Sequence, residues 1–181
     1  MKKQATKLGL IAALIIGGTT MAQAVVVNGG KVRFVGDIVN AACAVDASSM
    51  DQTVVMGQVR TARLMTAGQT SSNVPFNIVL NDCDSSVSQN ASISFTGATV
   101  SGANNALAVS NGSSAGAATN VGIQILDNTG TVLKLDGSQF SSGIVISDGR
   151  NVIPFNARYL ATGVATAGTA NAEATFSVQY Q

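Results

Sequence analysis

The side chains able to carry chemistry are few, and their types exclude most enzyme classes. The 181 residues include no His and no Trp, so Ser-His-Asp sites, Cys-His sites and His-ligated zinc are excluded. Carboxylates lie close in sequence at Asp82 and Asp84 and again at Asp46 and Asp51. Both pairs fall in apparent turn segments, where Asp is common for backbone reasons. Since no acid-base constellation is recognisable, we expect no catalytic residue, no metal site, no cofactor and no enzymatic activity.

The first residues have the pattern of a secretory signal peptide. Three lysines flank or precede an apolar run over residues 8–16, and a small-x-small site follows at Ala22 and Ala24. This pattern predicts a signal peptide over residues 1–24 with cleavage between Ala24 and Val25. The apolar run is much shorter than the ~20 residues that span a bilayer, and an uncleaved membrane anchor is the alternative.

The predicted export of the chain indicates the oxidation state of its two cysteines. Cys43 and Cys83 are too far apart for a CxxC redox site. An even number of cysteines in an exported chain predicts one disulfide, formed in an oxidising compartment. Two buried free thiols are the alternative.

The charge balance favours neither nucleic acid nor an anionic membrane as a partner. The chain has ten Lys and Arg against nine Asp and Glu, and three of the lysines belong to the leader. The remaining cations are scattered, whereas nucleic-acid binding needs clustered Lys and Arg. No later segment is long and apolar enough to span a bilayer as a helix.

Short β-type runs separated by Gly, Ser, Asn and Asp make up the rest of the chain, which predicts an all-β sandwich of two antiparallel sheets. Turn residues predict hairpins at 127–130 and at Asp148-Gly149, and a helical turn is expected around residues 61–66. The predicted strands are 31–39, 53–59, 75–81, 91–95, 121–126, 131–135, 144–146, 151–159 and 175–180.

Both ends of the exported chain have the alternation of a strand with one apolar face. Chain ends are usually frayed and polar, and a terminal strand without an internal neighbour can pair with another molecule. The alternative is that each strand packs only in its own core. The N-terminal stripe comprises Val26, Asn28, Gly30, Val32 and Phe34, and the C-terminal stripe includes Phe176, Val178 and Tyr180.

Several motifs resemble those of chaperone-usher pathway pilins, and among these the major structural subunits of type 1 fimbriae. The resemblance to the pilins rests on residues 30–36, 39–43, 80–83 and 153–159. The narrower resemblance to the type 1 subunits rests on residues 27–30, 40–46, 57–62 and 118–122. Gly168 is the fourteenth residue from the C-terminus and Tyr180 is the penultimate one, two further hallmarks of these subunits. The resemblance extends over the whole chain after the leader.

The resemblance implies an incomplete immunoglobulin-like sandwich, the pilin fold, which lacks its seventh strand. A groove beside the C-terminal strand would then be completed by a donor strand from a neighbouring subunit or a chaperone. It implies a donor segment within residues 25–38, continuing into the first strand of a pilin domain over 39–181. The donor side chains would be Val26, Asn28, Gly30, Val32 and Phe34, and the acceptor edge would comprise Gly168, Phe176, Val178, Tyr180 and Gln181.

The implied function is that of a major structural subunit of a surface fimbria, polymerising by donor-strand exchange into a helical rod that supports adhesion. The implied partners are identical subunits, a periplasmic chaperone, an outer-membrane usher and minor tip subunits. The implied route leads through the periplasm to the extracellular fimbrium of a Gram-negative bacterium. A minor or adhesive pilus subunit, or another carbohydrate-binding surface protein, is the alternative.

Overall fold

The secondary structure is almost entirely β. The computed structural model describes residues 26–109 and 116–181, so the predicted signal peptide and its cleavage site at Ala24 and Val25 lie outside the described residues. In the described part no helix is long and apolar enough to cross a membrane. The strands there are β1 (Ala44–Val45), β2 (Val74–Cys83), β3 (Asn90–Gly97), β4 (Thr99–Val100), β5 (Ala103–Ala108), β6 (Val121–Leu126), β7 (Asp136–Phe140), β8 (Ile144–Val145), β9 (Gly149–Ala161) and β10 (Ala174–Tyr180). A short helix α1 (Ala47–Met50) and a 3₁₀ helix (Thr61–Arg63) complete the set.

Two antiparallel sheets form the unit Ile38–Gln181. The larger sheet has the order β1-β2-β9-β6-β5-β4, and the smaller has the order β10-β3-β7, with β8 also paired to β3. The pair of β2 and β9 is central, with Phe76 opposite Phe155 and Ile78 opposite Ile153. This arrangement confirms the predicted all-β sandwich class.

The core lies where side chains of the two sheets meet. Phe95 of β3 lies 5.1 Å from Phe155 of β9 and 6.2 Å from Phe76 of β2, measured between ring centroids. Phe176 of β10 adds a fourth ring at 6.3 Å from Phe95. Aromatic pairs at these separations and in edge-to-face orientation contribute stability beyond the area that they bury. The rings therefore hold the smaller sheet, including its C-terminal strand, against the larger one.

A disulfide joins Cys43 to Cys83, which confirms the predicted pairing. Both residues are buried. Beside them, the backbone N–H of Asp84 donates to the carbonyl of Ala42 over 2.9 Å. The disulfide ties the chain just before β1 to the last residue of β2. In the chain-entropy treatment, a cross-link that closes a loop of this length stabilises the fold by about 4 kcal/mol.

Two predicted strands, 31–39 and 53–59, have no regular secondary structure. Their alternation of side chains favours an extended chain, but a strand also needs a hydrogen-bonded neighbour. The prediction of a strand at 131–135 is also wrong in detail. There the N–H groups of Leu133 and Leu135 donate to Ile125 and to Asn104, which belong to different strands. The regular strand β7 begins only at Asp136.

The turn predictions had mixed outcomes. The turn at 127–130 is confirmed, because the N–H of Gly130 donates to the carbonyl of Asp127 over 3.0 Å. The 3₁₀ helix falls within the predicted helical turn. The hairpin predicted at Asp148-Gly149 is wrong, since β8 pairs with β3 while β9 pairs with β2. The chain passes there from one sheet to the other. Helix α1 lies outside the predicted elements; its first turn is capped by the carboxylate of Asp46, which accepts from the N–H of Ser48.

Asp127 is a buried carboxylate that holds the turn after β6. One of its oxygens, Oδ1, accepts from the N–H and hydroxyl of Thr129 and from the N–H of Thr131 at 2.7–2.9 Å. Oδ2 accepts from the N–H and hydroxyl of Ser142 at 3.0 and 2.8 Å. Burial acts to raise the pKa of Asp127, but these hydrogen bonds outweigh it and lower the pKa to about 2. The ionised side chain therefore joins two loops.

Replacing Asp127 by Asn tests this role. Asn has the same shape as Asp, but its Nδ2 can only donate. It would therefore face the N–H and hydroxyl groups that donate to the carboxylate of Asp127. We expect a loss of about 2–3 kcal/mol in the free energy of unfolding at neutral pH. Because the folded pKa is lower than the ordinary value, the stabilisation is present above about pH 4 and is lost as pH falls through about 2. Urea unfolding of folded monomer at a series of pH values measures both effects.

The exposed Asp51 provides the control for that series. Asp51→Asn should change the unfolding free energy by less than about 0.5 kcal/mol at neutral pH. Equal effects of the two substitutions at neutral pH would contradict the assigned role of Asp127.

Candidate functional site

The C-terminal strand β10 is paired along one edge only. It forms a ladder with β3 from Ala174 opposite Gly97 to Tyr180 opposite Ala91. The ladder continues at Gln181, whose N–H donates to the carbonyl of Asn90 over 2.9 Å. On its other side β10 is the end of the sheet, and no described strand pairs with it there. That edge presents backbone donors and acceptors, which need partners when they are removed from water.

Residues 43–62 approach the C-terminal part of the chain at two places. At one end, residues 57–62 and 165–171 line the same cavity of 630 Å³. At the other end, the hydroxyl of Tyr180 donates to the carbonyl of Cys43 over 3.1 Å. Because the two segments meet at both ends and no strand lies between them, they enclose a depression, which we call the open groove. Its walls are residues 43–62 and residues 165–181.

The side chains along the open groove are only half-buried, although they pack against the core. Five consecutive residues of β3, from Ala91 to Phe95, are buried, whereas no residue of β10 is. The interior is therefore covered on the β3 side and accessible beside β10. The half-buried apolar side chains that pack on the core include Val45, Met56, Val59, Phe76, Ala170, Ala172, Phe176, Val178 and Tyr180.

The two tyrosines act as neutral hydrogen-bond donors at the groove. The hydroxyl of Tyr159 donates to the carbonyl of Ala170 over 3.1 Å, and Tyr180 binds Cys43 as described. Burial raises the pKa of both side chains above the ordinary value. Both hydroxyls thus keep their protons at neutral pH. Tyr180 links the two walls of the groove, and Tyr159 ties the wall 165–181 to β9.

Gly168 lies where the wall 165–181 crosses the chain before β6. Thr169 and Ala117 form a parallel bridge, and the N–H of Ala118 donates to the carbonyl of Thr169 over 2.8 Å. A Cβ placed on Gly168 would lie 2.3 Å from the carbonyl oxygen of Gly116 and 2.4 Å from the nitrogen of Ala118. These are backbone atoms and cannot rotate away. The position therefore requires glycine for close approach of the two backbones.

The N-terminal segment, residues 26–37, has no regular secondary structure and is exposed throughout. The exposed fraction is 94% for Val26, 76% for Val32 and 91% for Phe34. Val35, which belongs to the opposite face of an extended chain, is also 91% exposed. Gly30 has a φ of +127°, which L side chains rarely adopt. Three large apolar side chains of the predicted donor stripe are thus free to contact another surface.

The carboxylates considered for catalysis have structural contacts instead. Asp46 accepts from the hydroxyl and the N–H of Ser48 and from the side-chain amide of Asn81. Asp84 accepts from the hydroxyl and the N–H of Ser86. These hydrogen bonds lower the pKa of both carboxyls, the opposite of what a general acid needs near neutral pH. Within the described ranges, no group of three or more His, Cys, Asp or Glu is placed to hold a metal ion.

The structure places most of the predicted acceptor residues on or directly after the unpaired strand. Phe176, Val178 and Tyr180 of β10 are half-buried against the core, Gln181 closes the ladder with Asn90, and Gly168 lines the cavity before β10. Met56 and Val59 of the opposite wall are not among the predicted site residues. The residue types over 53–59 predict an ordinary strand, and nothing in them distinguishes a strand from one wall of a groove.

Comparisons with known proteins agree with this geometry. A family model described as "Fimbrial protein" matches residues 32–181. The chain is 55% identical to the type-1 fimbrial protein A chain of Escherichia coli K12 and 52% identical to the fimbrial subunit type 1 of Klebsiella pneumoniae, with both chains fully covered in each case. Among solved structures, it matches a chaperone-usher pilus with a TM-score of 0.72, 27% identity, and coverage of 88% of this chain and 100% of that one. The P pilus rod subunit PapA matches with a TM-score of 0.66, 26% identity, and coverage of 78% and 100%.

The contacts of Gly168 generate a prediction. Gly168→Ala should lower the free energy of unfolding by about 1–3 kcal/mol, because the methyl group forces two backbones apart. Gly143→Ala is the matched control, since nothing lies within 4 Å of its Cβ position. Urea unfolding of the two variants beside the parent chain makes the comparison. If both alanine variants were as stable as the parent, the close approach at Gly168 would not constrain the fold.

Proposed function

This chain belongs to the fimbrial protein family, and from that premise we propose that the N-terminal segment of one copy fills the open groove of the next. The chain is a structural pilus subunit, and its relatives assemble into rods through subunit–subunit contacts. The observation that carries the proposal is the unpaired edge of β10 beside a row of half-buried apolar side chains.

A strand added at the edge of β10 would pair the free peptide groups of that edge and cover the apolar side chains beside it. Its main chain provides hydrogen bonds to the unpaired peptide groups, which supply affinity, while alternate side chains enter the groove and set the register. The donor side chains are Val26, Asn28, Gly30, Val32 and Phe34. Fully burying a Val or Phe side chain stabilises a contact by about 1.5–3 kcal/mol. Gly30 lets the donor strand seat closely where a side chain would hold it away.

Donation from one copy to the next produces a filament. The donating surface and the receiving surface are different parts of the chain, so the contact is heterologous and generates an open helical assembly when the rotation does not close. Each added subunit brings a new donor segment and a new groove. Growth then needs only copies of the same chain, which is what a rod subunit requires.

Before assembly, the groove needs temporary cover, because exposed sheet edges and apolar surface promote aggregation. We infer that a periplasmic chaperone supplies a strand there. At the terminal carboxylate, one oxygen of Gln181 accepts from the N–H groups of Gln89 and Asn90 at 3.2 and 2.9 Å. The remaining acceptor capacity suits basic side chains of the chaperone. An outer-membrane usher and minor tip subunits complete the inferred set of partners.

Export to the cell surface follows the same proposal. The relatives are fimbrial subunits, and the Cys43–Cys83 disulfide suits an oxidising compartment such as the periplasm. The predicted signal peptide would deliver the chain to that compartment. From there the subunit joins an extracellular fimbrium.

The donor face can be tested with matched aspartate substitutions. Val32→Asp and Phe34→Asp place a charge on the face that enters the groove, where burying an unpaired carboxylate is costly. Val35→Asp places the same charge on the opposite face. We expect SDS-resistant fibres from the parent chain and from Val35→Asp, and soluble subunits from the other two. Sedimentation and negative-stain microscopy distinguish the products.

Deletion of residues 25–34 complements these variants, because it removes the donor while leaving the groove intact. The truncated chain should form no fibres alone. It should still accept a synthetic peptide of residues 25–35, with a rise in the melting temperature. Fibres from the truncated chain would show that another surface drives polymerisation. Loss of fibres with Val35→Asp and not with Val32→Asp would shift the donor register by one residue.

A further inference from the structure

Asn28 is the polar exception in the donor stripe, and it is followed by Gly29. Both residues are exposed and have no regular secondary structure. A Cβ built on Gly29 would have nothing within 4 Å, so no neighbouring group restricts this peptide. In the ranges 26–109 and 116–181 the Asn-Gly dipeptide occurs at this place alone. We propose that Asn28 is a spontaneous deamidation site that operates in unassembled subunits and is shielded by strand donation.

The reaction needs only the chain and water. The backbone nitrogen of Gly29 attacks the side-chain carbonyl carbon Cγ of Asn28, and a new C–N bond forms. The bond from Cγ to the side-chain nitrogen breaks, and ammonia leaves with the proton from the peptide nitrogen. Water then opens the cyclic imide at either carbonyl, which gives aspartate or isoaspartate. No electrons are transferred, and the net change is the replacement of an amide by a carboxylate.

Glycine after the asparagine makes this attack easier. With no Cβ on residue 29, the backbone can reach the conformation that brings its nitrogen to Cγ, at little steric cost. Within residues 26–109 and 116–181, every other asparagine precedes a residue that carries a Cβ. Asn151 lies in β9 and exchanges hydrogen bonds with Ser147, and the side chain of Asn81 in β2 donates to Asp46. Asn128 is exposed in a turn, but Thr129 follows it.

The shielding part of this inference rests on the function proposed above. A strand seated in the groove is held extended and its peptide groups are paired. That geometry keeps the nitrogen of Gly29 away from Cγ of Asn28. Deamidation should therefore be rapid in a free subunit and slow in a fibre.

The products should also be poor donors. Aspartate at residue 28 would put a carboxylate on the face that enters the groove, where its burial is costly. Isoaspartate lengthens the main chain by one atom, which shifts the register of every side chain beyond it. An unassembled subunit thus loses its ability to polymerise as it ages.

Peptide mapping by mass spectrometry tests the site. Folded monomers and fibres of the exported chain are incubated at mildly alkaline pH, and deamidation of Asn28 is followed with Asn128 as the internal reference. In monomers we expect Asn28 to react at least about ten times faster than Asn128, because Asn28 precedes a glycine whereas Asn128 precedes Thr129. Gly29→Ala should bring the rate at Asn28 close to that of Asn128. A rate at Asn28 no faster than at Asn128 would overturn the inference and leave the proposed function untouched.

The fibre sample tests the shielding separately. In fibres the rate at Asn28 should fall toward that of Asn128. If Asn28 deamidated at the same rate in monomers and in fibres, it would still be a modification site, but it would not be shielded by assembly. That result would also contradict strand donation by this segment.

Aged monomers test the consequence for assembly. Monomers of the parent chain and of Gly29→Ala are aged together, and the yield of SDS-resistant fibres is compared with that of each unaged sample. The parent should lose fibre yield in proportion to the deamidated fraction, and Gly29→Ala should keep its yield. Full assembly of converted monomers would overturn the proposed effect on donation.

Discussion

The unpaired edge of β10 is the constraint on which the rest of the structure depends. A strand at the end of a sheet normally has its apolar side covered, yet here Phe176, Val178 and Tyr180 remain half-buried. The same strand is firmly held on its other side, through its ladder with β3 and the contact between Phe176 and Phe95. The edge is therefore fixed in place while it lacks a partner. A further strand could therefore pair with β10 in the position that β10 already occupies.

The rim of the groove is held by contacts that do not involve the missing strand. Tyr180 closes one end through the carbonyl of Cys43, and Gly168 closes the other by close contact with the backbone of residues 116–118. Tyr159 reaches the wall at Ala170. Such contacts reduce the conformational entropy that would otherwise be lost when a donor strand binds. If a donor strand binds here as proposed, the period of two along a strand fixes which of its side chains face the core.

The strands that pair within the chain were predictable from sequence. Residues 75–81, 91–95, 121–126, 151–159 and 175–180 alternate or are continuously apolar, and each finds an antiparallel neighbour. Residues 31–39 and 53–59 have a similar pattern but no strand structure. The pattern reports the preference of the side chains for an extended chain with one buried face, whereas the strand itself depends on a partner. The half-buried state of Met56 and Val59 could not be predicted, because it depends on a strand that the fold lacks.

The position of the disulfide gives the donor segment a firm attachment. If residues 26–34 are held in the groove of a neighbouring copy, tension along the filament passes through the following residues to Cys43. There it is transferred covalently to Cys83 at the end of β2. Strand β2 pairs with β9 from Val74 to Cys83, so the load is shared by the hydrogen bonds of the central ladder. Without this bond, tension would first act on the two-residue strand β1, which pairs with β2 only at Ala44 and Val45. Under the proposed strand donation, the cross-link therefore relieves the two-residue strand β1 of this tension.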